Sequence, residues 1–290
     1  MDQNLSLFAE NNSRSPKPFL KWAGGKSRLL FQYKSLFPEV FNNYFEPFCG
    51  SAAVFFYLKT SQSKGTVTFK DAKLSDINQE LILTYQIVRD NVIDLIELLY
   101  LHRQNHDQEY YYRIRSLNTF TLSDLEKAAR FVYLNKTCFN GLYRVNSKGQ
   151  FNVPIGNYKH PQIFNELDLK AASKSLQEVT IQVDNFGEVL TQANKGDFVY
   201  LDPPYAPLSK TASFTSYTKN PFGERGQFEL SELFKALDRK GCKVMLSNSW
   251  VDHIIDLYKD FNCLQVQASR AINSNITKRG RISELVVMNY

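Results

Sequence analysis

The chain has 290 residues, 43% of them hydrophobic, and a formal net charge of +6. That length buries a full core in one large domain or two modest ones, and the apolar content excludes a disordered chain. No apolar run approaches the roughly 20 residues of a membrane helix. Four scattered cysteines with no CxxC argue against a disulfide framework and a zinc site, so a reducing cytoplasm is the default.

The charges are segregated. Residues 11–38, 127–165 and 261–283 hold 16 of the 35 Lys and Arg and no acid, leaving 19 basic against 29 acidic residues elsewhere. A solvated face normally mixes signs. If the fold brings these three stretches together, they form a surface for a polyanion.

In chain order, residues 1–16 are polar, lack a signal-peptide pattern and read as a flexible tail. From Phe19 to Phe37 the Gly24-Gly25 pair leads into a helical pattern through Lys26, Leu29, Leu30, Tyr33 and Leu36. Gly25-Lys26-Ser27 matches the end of a phosphate loop, but that motif needs a glycine where Leu20 stands, which disfavours a nucleotide triphosphatase. The glycines still let backbone approach a ligand, Lys26 suits a carboxylate, and Trp22 suits an aromatic ring or a cation.

Tyr44–Phe48 reads as a short strand broken at Pro47, and Gly50-Ser51 opens a helix. Strand, tight turn and helix are the form of a nucleoside-binding crossover. One glycine, where the dinucleotide fingerprint has three, argues against NAD. Thr66–Phe69 and Leu74–Asp76 read as strands, with a local hairpin as one arrangement. Asp76, 26 residues after Gly50, suits ribose hydroxyls or the N-cap of the next helix, and the roles can coexist.

Asn78 to Lys136 is mostly helical, with Leu81, Tyr85, Val88, Val92, Leu95, Ile96 and Leu99 at three-to-four spacing. His102 and His106 lie four apart there, but no third ligand follows and metal binding is disfavoured. Leu142–Val153 reads as a hairpin around Ser147-Lys148-Gly149. Its Arg144, Asn146 and Lys148 suit a nucleic-acid groove, since arginine reads guanine bidentately with about 1–3 kcal/mol of discrimination. Phe139 suits a wedge between bases. The alternative is an exposed hairpin whose aromatics pack on the helices below.

From Val179 onward strands and helices alternate, with strands at Val179–Val183, Phe198–Leu201, Lys243–Asn248, Cys263–Gln267 and Leu285–Asn289. That order predicts a mostly parallel sheet with covering helices, interrupted by an inserted module at about residues 79–164. Within it, Asp197 to Tyr205 is the most informative run. Val199 to Leu201 read as a buried strand, and Pro203-Pro204 forbid its continuation as strand or helix. Asp202, a donor-free proline carbonyl and Tyr205 therefore sit at the carboxyl edge of the sheet, where ligands bind. A carboxylate beside a carbonyl suits an exocyclic amino group, and the tyrosine suits the face of a base.

FLKWAGGKSRLL, YFEPFCGSAAVFF, LSDIN, FNGLYRVNSKGQFNVPIGNY, DFVYLDPPYAPLS and the segment near Ser269 to Leu285, in this order, resemble the Dam family of DNA adenine-N6 methyltransferases, over residues 17–290. The resemblance implies an α/β, Rossmann-like class I methyltransferase fold with a mostly parallel seven-stranded sheet. Residues 17–78 and 165–290 would form the catalytic domain, and residues 79–164 an inserted helical and hairpin target-recognition domain. It implies S-adenosylmethionine as cofactor, S-adenosylhomocysteine as product and no metal. Trp22, Lys26, Asp76 and Asp202 fall on cofactor-contacting positions, with Phe48 and Gly50 in the crossover turn beside them. It implies double-stranded DNA as partner, contacted by Lys21, Phe139, Asn140, Leu142, Arg144, Pro154 and Tyr158, with Asn146 on the same hairpin. The implied reaction is methylation of adenine N6 within GATC, after base flipping, by a cytoplasmic monomer without a membrane role. Asp202 and Pro203 would accept the amino hydrogens, Pro204 would complete the corner, and Tyr205 would stack on the base. Rival readings are another DNA site, RNA adenine, cytosine N4, or an inactive DNA-binding homologue. Whether a restriction enzyme accompanies the protein is not written in the sequence.

Overall fold

The computed structural model describes residues 14–206, 222–269 and 281–290. Most of the expected tail, Pro207 to Ser209 after the Asp-Pro-Pro-Tyr corner, and Arg270, Lys278 and Arg279 of the third basic stretch lie outside them. Seven strands form one sheet: β1 (Tyr44–Glu46), β2 (Ala72–Asp76), β3 (Thr180–Val183), β4 (Phe198–Leu201), β5 (Lys243–Ser249), β6 (Asn262–Ser269) and β7 (Arg281–Met288). Their order is β3-β2-β1-β4-β5-β7-β6. Strands β1 to β5 pair in parallel, and β7 runs antiparallel between β5 and β6. The chain steps outward from β1 to β3, then returns to lay β4 on the other side of β1. The carboxyl ends of β1 and β4 thus flank a switch point, where an open α/β sheet leaves a crevice.

Central strands covered on both faces need apolar residues at every position. β4 sends Phe198 and Tyr200 into one apolar cluster and Val199 and Leu201 into the other. On β7, Val286 and Met288 oppose Leu285 and Val287 in the same way. The first face is covered by α1 (Leu30–Tyr33), α2 (Ala53–Ser63), α3 (Gln79–Asp90), α4 (Val92–Gln104), α5 (Gln108–Ser116), α6 (Asp124–Thr137) and α7 (Glu166–Leu176). The second is covered by α8 (Val189–Gln192), α9 (Glu224–Arg239) and α10 (Asp252–Ile255). Helix α9 buries Leu230, Leu233, Phe234 and Leu237, a stripe at helical spacing.

One sequence expectation is corrected. Thr66–Phe69 is not a strand of the sheet but makes one bridge, Val40 to Thr68, and no hairpin with β2. Its apolar residues serve packing: Val67 and Phe69 are buried, and Phe69 stacks on Phe41 at 5.1 Å. The hairpin expected over Leu142–Val153 is present in short form: Val145 and Phe151 make an antiparallel bridge, Asn146 N and Asn152 N donate across it to the carbonyls of Gln150 and Arg144, and the Asn146 side chain holds the turn by accepting the amides of Lys148 and Gln150.

The block 78–136 is helical, and α3 belongs to the sheet's covering layer as much as to the helices beyond it. Gln86 and Arg89 donate to the carbonyls of Ile181 and Val179 at 2.8 and 2.9 Å. The first basic stretch meets each of the other two. The Lys21 amide and carbonyl are both bound by the Asn135 side chain, at 2.8 and 2.7 Å. Gln32 pairs with the backbone of Gln267 in both directions, which also covers the open edge of β6.

Candidate active site

At the end of β1 the chain makes a sharp turn into α2. Gly50 has φ +44°, and a Cβ there would lie 2.7 Å from the Trp22 indole, so only glycine lets the loop pass beneath that ring. Ala52, also left-handed at φ 51°, cannot cap α2 with its side chain. Glu46, fully buried, replaces the missing cap by accepting from Phe55 N at 3.2 Å and from the Tyr44 hydroxyl at 2.8 Å. Burial pushes its carboxyl up to about 8 against those two hydrogen bonds, with the Asp202 charge adding to the rise.

Asp76 ends β2 and accepts from Gly50 N at 3.3 Å and Asn78 N at 3.0 Å. It therefore braces the β1 turn. The N-cap of α3 is Asn78, whose side chain accepts from Leu81 N, so the capping alternative for Asp76 is not realised. Burial raises the Asp76 carboxyl above its ordinary range.

The corner after β4 is pinned from below. Gln227 donates to the Pro204 carbonyl at 2.9 Å and accepts from Asn248, while Ser249 donates to the Ala206 carbonyl at 2.7 Å. Among the described residues, nothing donates to the Pro203 carbonyl. Lys26, 2% exposed, pairs with Asp202 at 2.7 Å and donates to the Gly24 carbonyl at 2.7 Å. Its ammonium also lies 4.7 Å from the centre of the Tyr205 ring. Burial pushes the Asp202 carboxyl up to about 6, the Lys26 charge opposes that rise, and the Glu284 charge adds to it. The Tyr205 hydroxyl donates to Glu284 at 2.7 Å.

Trp22, Lys26, Phe48, Gly50, Asp76 and the whole Asp202–Tyr205 corner line one cavity of about 1400 Å³ at the switch point. Trp22 stacks on Tyr143 at 5.8 Å, and Phe48, Phe186 and Phe222 form an aromatic trio at the other end. Glu46, Phe186, Gln227, Asn248 and Glu284 escaped sequence reading. Glu46, inside the Tyr44–Phe48 block, and Glu284, inside the Ser269 to Leu285 segment, stood within motifs without being marked themselves.

The eight residues expected to contact nucleic acid fall into two groups. Lys21, Phe139, Asn140, Leu142, Pro154 and Tyr158 form a knot: Phe139 N donates to the Pro154 carbonyl, Leu142 N donates to the Phe139 carbonyl, and the Lys21 ammonium sits 4.2 Å from the Tyr158 ring. Phe139 is 46% exposed. A Cβ on Gly141 would strike the Lys21 side chain at 2.5 Å, which explains the glycine beside Asn140. Arg144 and Asn146 lie further out, where Asn152 holds the Arg144 guanidinium at 2.7 Å. Between and beyond them, Val145 and Gly149 reach the cavity mouth. His102 and His106 bond to the hydroxyls of Tyr110 and Tyr133. Among the described residues no His, Cys, Asp or Glu cluster has the form of a metal site, and no helix is long and apolar enough to cross a membrane.

Sheet order and switch-point cavity are those of a class I methyltransferase fold. Residues 22–272 match the family described as D12 class N6 adenine-specific DNA methyltransferase. The chain is 44% identical to the type II methyltransferase M.MjaIII of Methanocaldococcus jannaschii, over 94% of this chain and 99% of that one. It is 42% identical to the type II methyltransferase M1.LlaDCHI of Lactococcus lactis subsp. cremoris, over 97% and 98%. It is 35% identical to a DNA adenine methylase of Haemophilus influenzae, again over 97% and 98%. The chain belongs to the D12 class of N6 adenine-specific DNA methyltransferases, and its reaction is methyl transfer to adenine in DNA.

Proposed function

We propose that the enzyme uses S-adenosylmethionine to methylate N6 of an adenine flipped out of duplex DNA, within GATC, and that it acts as a monomer. The observation that carries this reading is the pair of acceptors at the corner. Among the described residues nothing donates to the Pro203 carbonyl, and Asp202 meets Lys26 through Oδ1. The cavity suits the cofactor: Lys26 offers a buried cation for a carboxylate, Asp76 suits ribose hydroxyls, and Phe48 and Phe186 offer faces for a purine. When bound, S-adenosylmethionine supplies an electrophilic methyl group on a cationic sulfur.

The residues do the remainder. Extruding a base costs a few kcal/mol, and Tyr205 repays part of it by stacking. The Asp202 carboxylate and the Pro203 carbonyl each accept one amino hydrogen, which turns the nitrogen lone pair out of the ring plane. The pinned corner holds this geometry, so positioning rather than proton transfer supplies much of the rate. Residues 79–164 form the target-recognition module. Arg144 leaves Asn152 to read a guanine, Phe139 enters the stack, and the knot around Lys21 holds the neighbouring backbone and base edges, with Asn146 keeping the hairpin turn.

The test is transfer of labelled methyl to duplexes with and without GATC and to RNA of the same sequence. Methylation confined to GATC duplexes is expected. Equal transfer to duplexes lacking GATC would move the target to another DNA site, and transfer to RNA would overturn the duplex reading.

A further inference from the structure

Strand β7 places a carboxylate behind the site, against the Tyr205 hydroxyl, that the transfer chemistry does not use. Because β7 is antiparallel to β5, its early residues lie level with the carboxyl edge: Glu284 pairs with Ser249 at the end of β5. By the alternation of the strand, Glu284 shares the face of Val286 and Met288, the side on which Tyr33 and Tyr200 lie. There it accepts the Tyr205 hydroxyl at 2.7 Å. Among the described residues no cation pairs with Glu284. A partly buried carboxylate near Asp202, unpaired with a cation among the described residues, calls for a role in holding Tyr205.

We propose that Glu284 is a positioning residue that fixes the plane of the Tyr205 ring for stacking on the extruded adenine, an inference that rests on the base-stacking role given to Tyr205 above. The backbone of the corner is already pinned through Pro204 and Ala206. That leaves the side-chain torsions to set the ring, and of these χ2 is broad enough to let a phenyl group tilt. The hydroxyl bond to a residue on a different strand removes that freedom. Lys26 lies over one face of the ring at 4.7 Å, and the base is assigned to the opposite face. Donation to a carboxylate also enriches the ring in electron density, which favours both the ammonium and an electron-poor purine.

A double-mutant cycle tests this, because a residue acting only through Tyr205 has no effect once the hydroxyl is gone. Glu284→Ala and Tyr205→Phe are each expected to lower kcat about tenfold, with S-adenosylhomocysteine affinity within about twofold of wild type. The double variant is expected to be no slower than either single variant. Glu284→Gln, whose amide oxygen accepts the same bond, should recover activity to within about threefold. Extrusion and stacking are read from the fluorescence of a duplex carrying 2-aminopurine at the target position. Additive losses in the double variant, or a Glu284→Ala enzyme with wild-type kinetics and fluorescence, would overturn the proposal. Tyr205→Ala separates the two layers: an unchanged fluorescence response in that variant removes the stacking role itself. Its loss, alongside a normal Glu284→Ala enzyme, removes only the role of Glu284.

Discussion

Lys26 and Asp202 meet at 2.7 Å with the ammonium almost wholly buried, and the Lys26 charge opposes the rise that burial imposes on the Asp202 carboxyl. The pair joins the 3-10 turn at Lys26–Arg28 to the end of β4.

Removing one partner leaves a buried charge uncompensated. Asp202→Ala is expected to lose detectable methyl transfer while remaining folded, with stability lowered by about 3 kcal/mol. Chemical denaturation together with labelled-methyl transfer measures both. Near-normal turnover would contradict the amino-group clamp.

Catalysis needs the Asp202 carboxylate ionised, and its raised value of about 6 places the acid limb of kcat/KM there. Activity should fall about tenfold per pH unit below that point. Because Lys26 opposes the rise, Lys26→Ala should move the limb to higher pH. Because Glu284 adds to it, Glu284→Gln should move the limb to lower pH. Shifts of opposite sign would refute this assignment. The stability linkage runs against catalysis: a carboxyl raised in the fold contributes fully below its unfolded value, and that contribution is lost as pH rises through about 6.

Glu46 carries the same sign over a wider window. With its carboxyl raised to about 8, its contribution is full below about 4.5 and is lost as pH rises to about 8. Wild-type stability measured between pH 5 and 8 should therefore decline more steeply than that of Glu46→Gln. Glu46→Ala should cost about 1–3 kcal/mol near pH 5, since it leaves Phe55 N and the Tyr44 hydroxyl without acceptors, and progressively less as pH rises toward 8.

Gly50→Ala introduces a Cβ 2.7 Å from the Trp22 indole at a left-handed backbone position. Displacing that ring should weaken S-adenosylhomocysteine binding at least tenfold by calorimetry, roughly 1.4 kcal/mol. Unchanged affinity would show that Trp22 does not wall the cofactor site.

Arg144 is held in the free protein by Asn152 and must be released to reach a base. Arg144→Ala is expected to relax sequence preference, by about 1–3 kcal/mol at one base pair, more than it slows transfer on the best site. Competition between GATC and single-substitution duplexes measures it, and an unchanged preference would assign base reading elsewhere.

Local chemistry made much of the site legible. Asp202-Pro203-Pro204-Tyr205 announces a strand end with acceptors, because prolines exclude the alternatives whatever surrounds them. Gly50 and Asp76 were readable because a tight turn and a strand-end acid are properties of short segments. Thr66–Phe69 misled for the converse reason: an apolar, β-branched stretch suits a strand or a packed loop equally, and stacking of Phe69 on Phe41 decided for the loop. Gln227 and Asn248, which pin the corner, sit in a helix and a strand whose patterns do not mark them.

By itself, then, the sequence determined the corner, the crossover turn and three acid-free basic stretches, since each is specified by residues adjacent in the chain. Only the tertiary structure decided that Lys26 would neutralise Asp202, that Asn135 would clasp Lys21, and that β7 would turn back to bring Glu284 to the Tyr205 hydroxyl. Those contacts join residues far apart along the chain, and they exist because strand order and burial force the groups together, a constraint that no local spacing carries.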